Sequence, residues 1–99
     1  MKMVITYPAR ISLKKIHDYY QSNVSKQIAD KIKSGIIAKL KFVSQNPHAG
    51  QEEETLKELG MNHRRMVEGN YKIIYRLMDD IIYVTDIFDS RQAPSKAKP

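Results

Sequence analysis

Cysteine is missing from all 99 residues, so disulfides and thiolate metal sites are excluded and a reducing, cytoplasmic setting is the natural expectation. Long hydrophobic runs are missing as well. In the N-terminal MKMVITYPAR the apolar run ends at Pro8 after four or five residues, far short of a signal peptide or a membrane span, and no membrane partner is expected. No glycine-rich phosphate loop occurs and no serine sits in a nucleophile-elbow context. Hydrolase and nucleotide-binding readings are thereby weak, and no cofactor is expected. The three histidines, His17, His48 and His63, include no i, i+4 pair and no completing carboxylate pattern, so no metal site is expected either. Acid is the scarcer charge: eleven Asp and Glu face seventeen Lys and Arg, a net charge of +6. Such an excess favours polyanionic or acidic partners, and it equally suits a solvated surface.

What is present is a dense β signal in the last third, MNHRRMVEGNYKIIYRLMDDIIYVTDIFDSRQAP, from Met61 to Pro94. Three runs stand out, at Asn62 to Val67, Tyr71 to Met78 and Ile81 to Phe88. Gly69-Asn70 and Asp79-Asp80 separate them, and both pairs tolerate positive φ or start tight turns. The pattern predicts two hairpins and a three-stranded antiparallel meander. Strand parity sends Tyr71, Ile73, Tyr75 and Leu77 to one face and Lys72, Ile74, Arg76 and Met78 to the other. The first set is apolar and is expected to meet helices.

Upstream, Val4 and Ile5 before Pro8 read as a short strand that adds to the meander's edge. Ala9, Leu13, Ile16 and Tyr20 then recur at helical spacing, up to Gln21-Ser22-Asn23. Ser25 is a good N-cap for a second helix on Ile28, Ile32, Ile36, Leu40 and Val43, with Ala29 and Phe42 widening the stripe and Asn46-Pro47 ending it. The short connection predicts an antiparallel helical hairpin. Gly35, within the second helix, costs about 1 kcal/mol relative to alanine and either lets the first helix approach closely or marks nothing. In EEETLKELG, early glutamates and Gly60 match a short helix, pinned by Leu56 and Leu59. The expected fold class is α+β, a single domain over residues 1–94, with 95–99 as a disordered basic tail.

Asp79 and Asp80 read as turn residues rather than a catalytic acid pair. Asp86 shares parity with Ile82, Val84 and Phe88 if the last strand alternates regularly, so it either pairs with a cation or marks a bulge. Asp89 and Arg91 are placed to pair across the strand end. Arg65, Lys72, Arg76 and Arg91 form the candidate binding set. Cations there either protect sheet edges and cover apolar surface or hold phosphates and stabilise charge in phosphodiester cleavage.

The strings NPHAG, RRMVEGNYKIIYRL and IIYVTDIFDSRQAP, with the Pro-x-Ala helix start at Pro8, resemble the RelE/ParE superfamily of bacterial toxins over almost the whole chain. The resemblance implies the toxin of a type II toxin-antitoxin pair, a plasmid stabilisation protein that inhibits growth until an antitoxin wraps it. A homodimer or a toxin–antitoxin hetero-oligomer is implied as well. RelE-like members are ribosome-dependent mRNA endoribonucleases, and on that pattern His63, Arg65, Lys72 and Arg91 would be catalytic. ParE-like members poison DNA gyrase and are not known as enzymes in their own right. The C-terminal tyrosine common in RelE-like members is missing after Tyr83, and the lysine-rich hairpin and Asn-Pro-x-x-Gly stop resemble ParE. A third reading, an inactive toxin-like module that only binds an antitoxin, uses the same basic surface.

Overall fold

The computed structural model describes residues 1–91 and 98–99. Its elements run β1 (Lys2–Ile5), α1 (Tyr7–Asn23), α2 (Lys26–Gln45), β2 (Gln51–Glu52), a 3₁₀ turn (Glu54–Leu59), β3 (Arg64–Glu68), β4 (Tyr71–Met78) and β5 (Ile81–Asp89). They form one five-stranded sheet in the order β1-β5-β4-β3-β2. The meander and the N-terminal edge strand are as expected, with β1 parallel to β5 and β3, β4 and β5 antiparallel. The fifth strand, β2, was not expected: two polar residues carry no hydrophobic period, and pairing with Arg64 and Arg65 alone defines it.

Local chemistry sets the element ends. The Thr6 hydroxyl accepts from the Ala9 amide and Pro8 enters the first turn of α1, while the Ser25 hydroxyl caps α2 by accepting from Ile28. Gly69, Asp79 and Asp80 all adopt positive φ, as the two tight hairpin turns require. The main core lies between hairpin and sheet. It joins Ala9, Ile36, Leu40 and Val43 to Tyr71, Ile73, Tyr75, Ile82, Val84 and Ile87, with Leu77 partly buried beside them, so the expected inward face of β4 is the observed one.

The helices depart from expectation at Ile28, Phe42 and Leu59, and Gly35 serves a contact that neither of its two readings named. Ile28 and Phe42 are 38% and 44% exposed, because the sheet covers a narrower stripe of α2 than its apolar residues span. Gly35 faces the sheet instead of α1: a Cβ there would lie 3.2 Å from the Glu68 carboxylate on β3. In the 3₁₀ turn Leu56 is buried against Ile74 and Phe88, a second small core on the face opposite the helices, whereas Leu59 is exposed. Gly60 ends that turn in the left-handed region, at φ 67°.

Pro47 and Gly50 explain the NPHAG string. The Tyr75 hydroxyl donates to the Pro47 carbonyl and accepts from the Gly50 amide, each at 2.9 Å. A Cβ at Gly50 would collide with that hydroxyl and with the Arg65 carbonyl, so only glycine lets the loop close over the core tyrosine. Among the described residues no helix is long and apolar enough to cross a membrane. Of the tail expected to be disordered, Lys98 and Pro99 are described and bonded, and residues 95–97 lie outside the described residues.

Candidate functional site

Pairing between β3 and β4 sets Arg65 opposite Ile74 and Val67 opposite Lys72. Arg65, Lys72 and Arg76 therefore share the face away from the helices, and His63, two residues before Arg65, shares its parity. Neighbouring Arg64 goes to the other face, where its guanidinium donates to the Gly50 carbonyl at 2.7 Å and to that of His48 at 3.3 Å.

On the shared face the two arginines are already engaged. Arg65 donates to the Glu52 carbonyl, to Gln51 Oε1 at 2.9 Å and to Glu53 Oε1 at 3.4 Å. Its planar fork thus fixes β2 and the start of the 3₁₀ turn. Arg76 reaches Met61 Sδ at 3.1 Å and Met78 Sδ at 3.7 Å. Lys72 is half-buried opposite Phe88 and has no hydrogen-bond partner among the described residues.

Between these cations lie two buried ionisable groups that composition gave no reason to expect inside. Glu53 and His63 are 1% and 2% exposed, and the Glu53 amide donates to the His63 carbonyl at 2.8 Å. His63 Nε2 donates to the Pro99 carbonyl at 3.2 Å, which assigns the ring proton to Nε2 and leaves Nδ1 as a bare acceptor. Burial holds the His63 pKa below its usual range; the Arg76 charge works the same way, while the Pro99 bond and Glu53 oppose it. Nδ1 of His63, Oε2 of Glu53 and Nε of Arg76 are buried without partners among the described residues.

Arg91 does not join this group. It follows the end of β5, and its guanidinium closes on Asp89, with Nε to Oδ1 at 2.9 Å and Nη2 to Oδ2 at 2.5 Å. That pairing lowers the Asp89 pKa. Asp89 sits opposite Tyr71 on the helix-facing side, so Arg91 lies across the sheet from Arg65. The strand-end pair was legible in the sequence; whether the four cations share a face was open there, and they do not, because Arg91 lies beyond the strand and answers to its local acid.

Asp86 is resolved by a bulge. Ile74 pairs with Asp86 and Tyr75 with Val84, so Thr85 is extra and the alternation shifts behind it. Ile87 thereby joins the core and Asp86 turns away from it. The carboxylate, 4% exposed, accepts from Ser12 Oγ at 3.1 Å, from the Ile87 amide at 2.8 Å and from the Lys98 amide at 2.9 Å. No cation is needed: three donors satisfy it.

β1 pairs only as far as Val84. Beyond it the β5 edge from Thr85 to Asp89 borders a groove of about 820 Å³ against α1, lined among others by Lys15, Tyr19, Tyr20, Tyr71 and Arg91. Burial and the neighbouring Tyr20 hydroxyl push the Tyr71 phenol up, so it stays protonated.

The sequence matches the family model for the ParE toxin of type II toxin-antitoxin systems, parDE, over residues 4–94. The chain belongs to the ParE toxin family. A solved structure described as the chromosomal ParDE toxin-antitoxin system from P. aeruginosa is similar in fold, with TM-score 0.75 and 22% identity, covering 90% of this chain and 95% of that one. No curated relative matches significantly. As a ParE-family chain it keeps the expected strand, helical hairpin and meander, and it buries Glu53 and His63 beside Arg65 and Arg76.

Proposed function

We propose that this ParE-family chain is a growth-inhibiting toxin that poisons DNA gyrase and is neutralised by a cognate antitoxin. The observation carrying this reading is the state of the four residues a RelE-like nuclease would use. His63 is buried and bonded to the chain's own Pro99. Arg65 is tied to three groups on β2 and the residue after it, and Arg91 is held by Asp89 on the other side of the sheet. A phosphodiester approaching that face would meet Lys72 and Arg76 with His63 buried, too few groups to hold a phosphate and move a proton together.

The antitoxin reading draws on the groove beside β5. Beyond Val84 the β5 edge has no strand partner among the described residues, and Lys98 bonds only the Thr85 and Asp86 side chains there. With the adjoining apolar and cationic groove it suits an extended or helical acidic segment that gains charge contacts from Lys15 and Arg91. Lys72 and Arg76 on the opposite face are the remaining candidates for antitoxin or target contact.

The test is to induce the chain without antitoxin in a bacterial cell and follow labelled thymidine and labelled methionine over the first minutes. Gyrase poisoning predicts early loss of thymidine incorporation while translation continues. Early loss of methionine incorporation would overturn the proposal in favour of the nuclease, and unaffected growth would leave only an antitoxin-binding module.

A further inference from the structure

The net charge of +6 resides in one part of the molecule. α1 and α2 hold Arg10 and seven lysines against only Asp18 and Asp30; the rest of the chain carries nine cations and nine carboxylates and is neutral as a whole. Both acids of the hairpin are neutralised within it. Asp18 pairs with Lys14 at 2.7 Å, and Asp30 with Lys26 at 2.8 Å and His17 at 2.7 Å.

The His17–Asp30 contact marks the sides on which the two helices meet. At 100° per residue, Arg10 and Lys14 fall beside His17 on α1, and Lys26, Lys33 and Lys41 fall beside Asp30 on α2. All five are exposed, and the large apolar side chains exposed among them are Ile37, 47% open, and Tyr7, 75% open at the start of α1 in line with Lys14. Lys33 and Lys41 have no ion-pair or hydrogen-bond partner among the described residues. From Lys26 to Lys41 the row spans about 22 Å along the helix.

We propose that this outer seam of the hairpin is a binding surface for the sugar-phosphate backbone of duplex DNA, independent of sequence. Lysines on flexible stems contact phosphates as point charges and do not impose the bidentate geometry that reads bases. An acidic protein helix would need an apolar groove to lie in, and Ile37 and Tyr7 are too few to make one among five cations. A duplex requires no such anchor, since its binding is driven by counterion release. The surface is separate from the β5 groove and from the open sheet face, and the inference does not depend on which cellular machine the toxin stops.

The experiment uses the full chain, purified free of antitoxin, and a fluorescent short duplex of mixed sequence, read by anisotropy across a KCl series. Binding at about 50 mM KCl that weakens steeply with salt is expected, and Lys33→Gln with Lys41→Gln should weaken it about tenfold or more and reduce the log–log salt slope by roughly two. Lys57→Gln, on the 3₁₀ turn, should leave both unchanged. No binding at low salt, an unchanged slope in the double variant, or equal loss from Lys57→Gln would overturn the proposal. So would a polyglutamate peptide binding as tightly as the duplex, which would assign the seam to an acidic protein instead. Circular dichroism of each variant checks that the fold is intact.

Discussion

The helical hairpin and the sheet half carry eight and nine cations, yet the two regions use them in opposite ways. On the sheet the arginines are structural. Arg64 fixes the loop before β2, Arg65 fixes β2 itself, and Arg91 clamps the end of β5. On the hairpin the basic residues are mostly lysines, and Lys15, Lys31, Lys33 and Lys41 contact nothing charged among the described residues. A rigid guanidinium repays being built into a fold, while a strongly hydrated ammonium on a flexible stem stays in water. Positive charge on the sheet therefore organises the molecule, and positive charge on the hairpin is left for something outside it.

Core truncation sharpens this contrast with the largest expected effect. Ile73, fully buried on β4 between both helices and the sheet, should cost about 2–5 kcal/mol on Ile73→Ala, read as a fall in urea-unfolding free energy. Ile37→Ala on the seam should stay within about 0.5 kcal/mol; a large loss there would mean that the seam is packed. Next in size is Tyr75→Phe, which strands the buried Gly50 amide and removes the bond to Pro47, for about 1–3 kcal/mol. An unchanged unfolding midpoint would show that the NPHAG loop closes without the hydroxyl.

The same division explains what could be read from sequence. β3, β4 and β5 were legible because apolar alternation and two-residue turns are local signals, and the helix caps were legible for the same reason. β2 and the 3₁₀ geometry of Glu54–Leu59 were not: short polar segments take their shape from partners far along the chain. At the site, parity put Lys72 and Arg76 on one face, and only the register adds Arg65 to them. It gave no sign that Glu53 and His63 are buried, because the contacts that hold them, His63 to Pro99 and Glu53 to Arg65, are ones no periodicity encodes. A bulge at Asp86 was one of two open readings, and only the pairing register distinguishes them.

His63 supplies a smaller, pH-dependent effect confined to the sheet half. Its folded pKa is depressed by burial, so the unfolded chain takes up the proton first as pH falls. The stabilisation is complete above the ordinary histidine pKa of about 6.5 and declines below it, towards the lowered folded value. Urea midpoints measured between pH 7.5 and about 5 should drop for the natural chain and flatten for His63→Gln. An equal drop in the variant would put the titration elsewhere.

The smallest effects come from a matched pair of acids, one in each region. Asp18 and Asp89 both bond a cation on their own element or its end, and both have lowered pKa values, chiefly through Lys14 and Arg91 respectively. Lys14 and Asp18 are open to solvent, and an exposed i, i+4 pair of long side chains adds almost nothing to stability. Asp18→Asn should leave the thermal midpoint where it is. Asp89 is four-fifths covered and also accepts from the Arg91 amide at 2.9 Å, so Asp89→Asn should lower the midpoint measurably and loosen Arg91 beside the β5 groove. Salt separates the two further: screening should change neither Asp18→Asn nor its parent, but should narrow the gap between Asp89→Asn and the natural chain if the ion pair carries it. Equal midpoints for the two variants at low salt would erase the distinction between structural charge on the sheet and free charge on the hairpin.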